Sequence, residues 1–408
     1  MESHFTADFF KGNREKLRTL FTGTAPIVLT ANGLLQRNGD TTYPFRQDSS
    51  FWYLTGITEP DVILVLDKEK EYLILPTREH NQEVFDGRID TEKLTAISGV
   101  TALLDYKTGW KQLTSRLKRV KHVATLAAMP SYIDRHGFYT NSARARMVKS
   151  LKEQAPQAEL LDLRTHLTRL RMVKQPKELA AIKTAISITT TTIKEVTRKL
   201  SQYQHEYEVE AAISAGFRRR GANGHAYQPI IASDANACVL HYVANNALLE
   251  GKKLLLLDVG AEAGHYAADI TRTFALAKPS KRAQAVYDAV LGVHSFACSL
   301  LKPGVIMKEY EHTVEQFMGE KLRELGLIKT INHETVRRYY PHSTSHFLGL
   351  DVHDVADYAR PLETDMVLTV EPGIYIPEEA IGVRIEDDVR IAEQGIDILS
   401  NDLPRTLT

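Results

Sequence analysis

Cysteine is scarce in this chain: Cys238 and Cys298 are the only two among 408 residues. They stand 60 residues apart with no paired spacing. That excludes a disulfide scaffold and a thiolate metal site, suits a reducing compartment, and leaves two buried thiols as the ordinary reading. Long apolar runs are missing as well. The greasiest stretch is Leu254-Leu255-Leu256-Leu257, far short of the ~20 residues that span a bilayer. The opening MESHFTADFFKGNREK has neither an apolar core of signal-peptide length nor a small-residue cleavage site, so a cytoplasmic protein without a membrane anchor is expected. No excess of one charge exists: 51 basic residues face 51 acidic ones. No global field therefore points to nucleic acid or an anionic membrane as a partner. Several enzyme signatures are absent too. There is no G-x-G-x-x-G, no Walker loop, no G-x-S-x-G elbow, no H-E-x-x-H helix and no cysteine in a nucleophile setting.

What is present is an ordinary globular balance, 43% apolar and 25% charged, in a chain too long for one core, so two domains are expected. In the first ~160 residues, the stretches PIVLT (26–30), SFWYLTG (50–56), DVILVLD (61–67) and EYLILP (71–76) read as strands, rich in β-branched and aromatic side chains. Residues 136–154 read as a helix, and the mixture suggests an α/β domain. A basic seam near 160–178 leads to Pro176, which opens a helix running through about Leu200. Further helices are expected at 206–220, 281–301 and 306–326, punctuated by Pro303-Gly304 and Gly326. The strands among and after them look antiparallel, being joined by short polar turns.

The chemistry lies in two of those hairpins. In KLLLLDVGAEAGHYAADITRTF, Asp258 and Asp269 have their midpoint between Ala263 and Gly264, inside a small-residue turn. A hairpin centred there sets the two carboxylates opposite one another, with Cβ atoms ~4.5–5.5 Å apart. In MVLTVEPGIYIPEEAIGVRIEDDV the midpoint of Glu371 and Glu386 falls in the turn PEEA, and alternation puts Arg384 with Glu386 on one face and Val383 with Ile385 on the other. Two unit charges 4 Å apart repel by about 4 kcal/mol at an effective dielectric of 20. Either these four carboxylates do not converge and meet solvent or arginine instead, or cations sit among them. Two divalent ions would balance four carboxylates, and an oxygen-rich set favours Mn²⁺, with Zn²⁺, Co²⁺ or Fe²⁺ as alternatives. His342, His346 and His353 fall within twelve residues, and His241 lies upstream in CVLHY. A lone histidine is more often structural, but this grouping near the carboxylate strands suits metal binding and acid–base work.

The strings DVGAEAGHYAADITRTF, SHFLGLDVHD, TVEPGIYI and GVRIEDDV, with FRQDSSFWYLTGITEPDVILVL near the N-terminus, resemble the Xaa-Pro aminopeptidase (aminopeptidase P) branch of the pita-bread metallopeptidases, M24B. The likeness covers nearly the whole chain. It implies an α/β N-terminal domain of creatinase, RNase H-like type over residues 1–165 and an α+β pita-bread catalytic domain over 166–408. It implies that Asp258, Asp269, His346, Glu371 and Glu386 hold two metal ions and that a hydroxide bridging them attacks the bond before proline. His241, His342 and His353 would contact substrate, Arg384 would orient a ligand carboxylate, Glu371 would relay the proton, and Tyr375 matches an active-site tyrosine. The implied partners are Xaa-Pro peptides and further copies of the chain in a homodimer or homotetramer, with Trp52 a candidate for contact with a neighbour's site or else a core residue. A prolidase limited to Xaa-Pro dipeptides shares the ligand set, and a catalytically dead binding module is the alternative from another class.

Overall fold

In the computed structural model, residues 5–68, 70–126, 133, 137 and 139–407 are described. They divide into two units, Phe5–Leu170 and Arg171–Thr408.

The first unit is built on a six-stranded mixed sheet. Ile27–Thr30 lies inside it, antiparallel to Ile63–Asp67 and parallel to His122–Thr125. Lys70–Ile74 with Leu103–Leu104 forms one edge and Glu159–Asp162 the other. Val28, Val65, Tyr72 and Val123 from the strands bury against Leu113, Leu117, Met147 and Leu151 from the helices Tyr106–Leu117 and Ser142–Gln154. That second helix starts at Ser142, capped by Asn141, rather than at 136; positions 136 and 138 lie outside the described residues.

The run SFWYLTG is not a strand. Ser49–Thr55 is a helix, begun by Asp48 accepting from Phe51 N at 2.8 Å and ended by Gly56 at φ 69°. All seven of its residues are buried. A short element buried all round shows the same unbroken apolar run in either conformation, so the caps decide. Trp52 is 4% exposed and stands edge-on to Phe10 at 5.3 Å. It belongs to this unit's core, the second of its two expected roles, and too little of it is exposed to meet a neighbouring subunit.

In the second unit every strand pairing is antiparallel. Ile230–Ser233, Leu254–Val259 and Ile270–Ala275 form one sheet, Val367–Val370 pairs with Asp387–Ile391, and Gly373–Ile376 pairs with Ile381–Arg384. Helices run over Pro176–Thr197, Glu206–Arg219, Lys281–Leu300 and Met307–Glu324. Pro176 at the first helical position and the reciprocal bonds of Gln175 and Glu178 start the first of them. Val286, Val290, Val314 and Met318 pack with Val370, Ile374, Val383 and Ile385 in one core cluster. That packing commits alternate strand positions to the core and leaves Arg384 and Glu386 for the other face. Among the described residues no helix is long and apolar enough to cross a membrane.

Candidate metal centre

The two hairpins meet, but not in the registers the spacing suggests. In the second, Val370 pairs with Asp387 and Gly373 with Arg384. Glu371 and Glu386, in the interval between, therefore stand opposite each other as expected. In the first, Asp258 pairs with Thr271 rather than with Asp269. The turn is centred one residue later, on Gly264 (φ 56°) and His265 (φ 69°), between the paired Ala263 and Tyr266. Two positive φ values in a two-residue loop match the twist of the flanking strands, which sets the centre. Moving a turn centre by one residue moves the pairing by two, so every side chain keeps its face. Asp269 is thus diagonal to Asp258 on the same side of the ladder.

The carboxylates meet through an unforeseen residue. The Tyr227 hydroxyl lies 2.6 Å from Asp258 Oδ1 and 2.6 Å from Asp269 Oδ1. Arg384 donates from Nη2 to Asp258 Oδ2 at 2.5 Å, from Nη1 to the Tyr375 hydroxyl at 2.8 Å and from Nε to Thr271 Oγ1 at 3.1 Å. Thr271 in turn donates to Glu386 Oε2 at 2.6 Å. His346 Nε2 is 3.4 Å from Asp269 Oδ2 and 3.5 Å from Glu371 Oε1, while its Nδ1 faces the Phe347 carbonyl at 3.2 Å. A proton held at Nδ1 by that carbonyl leaves the Nε2 lone pair free for a metal. Asp269, His346 and Glu386 each offer a ligand atom within 4.8 Å of one another.

The histidines divide. His342 Nε2 is 2.8 Å from the Tyr375 hydroxyl, and its Nδ1 is 3.7 Å from Glu371 Oε2. Burial and the Arg384 charge pull His342 down to about 3, so it is neutral. His353 packs edge-on to His346 at 4.4 Å and lies at the exposed rim. Its basicity is lowered by its packed surroundings and by His346 and His241. His241 is exposed, on a loop. Both cysteines are only half-buried and far from a nucleophile's setting; burial pushes the Cys298 thiol up to about 12 and raises that of Cys238.

The pocket is short of positive charge. Among the described residues, Asp258, Asp269, Glu371 and Glu386 share one guanidinium, that of Arg384. The Tyr227 hydroxyl has a single proton, so it can donate to one aspartate only, and the other 2.6 Å contact needs a proton or cation from elsewhere. Burial, then repulsion from Asp258, holds Asp269 well above the usual carboxylate range. Burial raises Glu371 and Glu386 as well, joined by repulsion from Glu386 and Asp269 at Glu371 and from Asp269 and Asp258 at Glu386. Asp388, wholly buried behind them, accepts from Asp269 N at 3.1 Å, and its Oδ1 has no partner among the described residues. Divalent cations would relieve all of this, and a donor set of oxygens with one imidazole suits Mn²⁺-like ions. The donor set and its charge deficit therefore fit divalent metal.

Tyr227, Thr271 and Asp388 were not singled out from sequence. Thr271 was legible, two residues beyond Asp269 and so on its face. Tyr227 lies 31 residues before Asp258, in an irregular segment without a pattern.

Residues 180–393 match the model of Metallopeptidase family M24, and residues 10–124 match that of the Aminopeptidase P N-terminal domain. The chain is 34% identical to the Xaa-Pro aminopeptidase of Haemophilus influenzae, over 100% of its own length and 98% of that protein's. Its fold is similar to that of Escherichia coli aminopeptidase P with the inhibitor Pro-Leu, with a TM-score of 0.86 and 31% identity over 98% of this chain and 96% of that one. It is also similar to a zinc-substituted form of the E. coli enzyme in complex with product, with a TM-score of 0.84 and 31% identity over the same shares.

Proposed function

Because the chain belongs to metallopeptidase family M24 and, within it, to the Xaa-Pro aminopeptidases, we propose that it releases the N-terminal residue from peptides with proline second. The observation that carries this reading is the convergence of four carboxylates and His346 around a deficit of positive charge. In this reading Asp258, Asp269, His346, Glu371 and Glu386 would hold two divalent ions. Mn²⁺ suits the oxygen-rich donors best, and the zinc-substituted relative argues that other ions can enter. When bound, the pair supplies Lewis acidity and a water whose pKa falls from about 15.7 towards about 7.

The protein's own groups do the rest. Arg384 and Tyr227 fix the rotation of the Asp258 carboxylate, as partners behind a ligand must. The substrate's free α-amine is drawn to the carboxylate side of the pocket, which confines cleavage to the first residue. Proline's nitrogen carries no hydrogen, so recognition cannot use that donor and rests on the ring and the carbonyl before it. His353 and His241, at the open rim, donate N–H groups to that carbonyl oxygen as negative charge grows on it. Glu371 takes a proton at a carboxylate oxygen and returns it to the proline nitrogen as the C–N bond breaks. Neutral His342, held by the Tyr375 hydroxyl, lines the wall beside Glu371. We assign the protein to the cytoplasm as a homodimer or homotetramer, on family likeness.

The test pairs metal analysis with substrate length. Purified protein carrying divalent metal should cleave Xaa-Pro-Xaa peptides and spare their Xaa-Ala-Xaa counterparts. Cleavage of Xaa-Pro dipeptides alone would make it a prolidase, and a metal-free protein inert in excess Mn²⁺ would make it a binding module.

A further inference from the structure

His241 stands on a stretch with little regular structure, between the short 3₁₀ turn Asp234–Cys238 and the strand that begins at Leu254. Its neighbours Val239 and Val243 are 57% and 43% exposed. Apolar packing reaches the loop only at Ala237 and the Tyr242 ring, against Ile230, Ala232 and Leu256, and leaves the residues beside His241 open. Polar contacts hold them. Glu206, the first residue of the helix Glu206–Arg219, is 0% exposed. Its Oε1 accepts from Ser233 N at 2.8 Å, Ser233 Oγ at 2.7 Å and Asn236 Nδ2 at 3.0 Å. Its Oε2 accepts from the Tyr242 hydroxyl at 2.7 Å and Ala247 N at 3.0 Å. These donors bracket His241 on both sides, and one belongs to the next residue along the chain. A buried carboxylate is costly unless its lone pairs are used, and here both oxygens are.

Asn245 forms a second strut. It is 1% exposed and holds a left-handed φ of 45°, which an Asn tolerates. Its Oδ1 accepts from Ile231 N at 2.9 Å, and its Nδ2 donates to Pro229 O at 2.9 Å and Glu210 Oε2 at 2.9 Å. Both struts tie the loop back to the strand Ile230–Ser233, whose Ile230 pairs with Asp258. The loop is thereby referenced to a metal-ligand strand.

We infer that Glu206 is a positioning residue for the reaction: its carboxylate buckles the loop of residues 233–247 so that His241 is aimed at the scissile carbonyl. This rests on the role given to His241 above. A glutamine at 206 offers one acceptor oxygen and one NH₂ group, so one set of donors would face a donor. Tyr242→Phe removes a single donor and leaves the carboxylate in place.

The experiment is a double-mutant cycle of Glu206→Gln and His241→Ala, read as kcat/KM on an Xaa-Pro-Xaa peptide in saturating Mn²⁺, with Mn²⁺ affinity measured by calorimetry. His241→Ala should lower kcat/KM by about 100-fold, the size of a lost oxyanion donor, and Glu206→Gln by about 10-fold, the size of a lost supporting partner. The double variant should match His241→Ala alone within about twofold, because both changes remove the same aimed imidazole. Mn²⁺ affinity should stay put in all three. Losses that multiply in the double variant, or a weaker Mn²⁺ site in Glu206→Gln, would overturn the inference. Should Glu206→Gln not fold, the cycle with Tyr242→Phe decides in the same way. A His241→Ala variant with wild-type kcat/KM would sink the role of His241 and the buckle with it. A sensitive His241 with an independent Glu206 would sink the buckle alone.

Discussion

Asp269→Asn separates a metal site from a structural ion cluster. Two carboxylate oxygens 2.6 Å from one hydroxyl are no more than about 5 Å apart, where two charges repel by about 3 kcal/mol at an effective dielectric of 20. In metal-free protein Asp269 is thus held towards its neutral form, of which Asn is the isostere, and Asn keeps an oxygen to accept from Tyr227. Its unfolding free energy in EDTA should stay within about 1 kcal/mol of wild type or rise, whereas removing a structural buried acceptor costs about 1–3 kcal/mol. With metal the order reverses. At Mn²⁺ 100-fold above its dissociation constant, the wild type gains about 2.7 kcal/mol from binding. A variant binding about 100-fold more weakly gains about 0.4 kcal/mol at the same concentration. Thermal unfolding with and without Mn²⁺ reads both quantities, and turnover should fall below a tenth of wild type. A variant that melts several degrees lower in EDTA yet responds to Mn²⁺ like wild type would refute the reasoning.

Three further outcomes are expected. EDTA should abolish activity and Mn²⁺ restore it; turnover unchanged after thorough metal removal would contradict the site. Tyr375→Phe breaks the chain from Arg384 to His342 and should lower kcat by about 10-fold with little change in Mn²⁺ affinity; wild-type kcat would remove Tyr375 from the machinery. In the first unit, Glu71→Gln takes the charged partner from the fully buried Arg14, which keeps only the Leu54 carbonyl among the described residues, and should cost about 2 kcal/mol near neutral pH, solvent screening the part-exposed carboxylate. Burial alone would raise Glu71, but the Arg14 and Arg18 charges outweigh it and hold the carboxyl below its usual value. Its contribution is therefore complete above the unfolded carboxylate's pKa of about 4.3 and is lost as pH falls through the lower folded value. The gap in melting temperature between wild type and Glu71→Gln should close on acidification; a gap that widens would reverse the sign.

Much of the architecture was legible because it rests on short-range rules. Pro176, Pro303-Gly304 and Gly326 mark helix ends by backbone chemistry that needs no tertiary partner. The two-residue period of a strand put Arg384 and Glu386 on the face opposite Val383 and Ile385, and the core cluster holds those two apolar residues as expected. The Glu371–Glu386 pairing followed because the turn lay at the middle of the polar run PEEA, where Pro377–Glu379 and Ala380 at φ 53° now close it. The Asp258–Asp269 register did not follow. It depended on which two turn residues would take positive φ, and the reading centred on Ala263-Gly264 lost to Gly264-His265. The helix Ser49–Thr55 was missed because full burial erases the periodicity that separates helix from strand.

The sequence by itself determined the residue types and spacings that make the proposed ligand set, since hairpin parity and turn composition are local and survive even a wrong turn centre. Only the tertiary structure decided that Tyr227 and Asp388 would close around those carboxylates, and that Glu206 would grip the His241 loop. Those contacts join segments far apart in the chain. They are chosen by how sheets and helices pack, and packing leaves no local period to read.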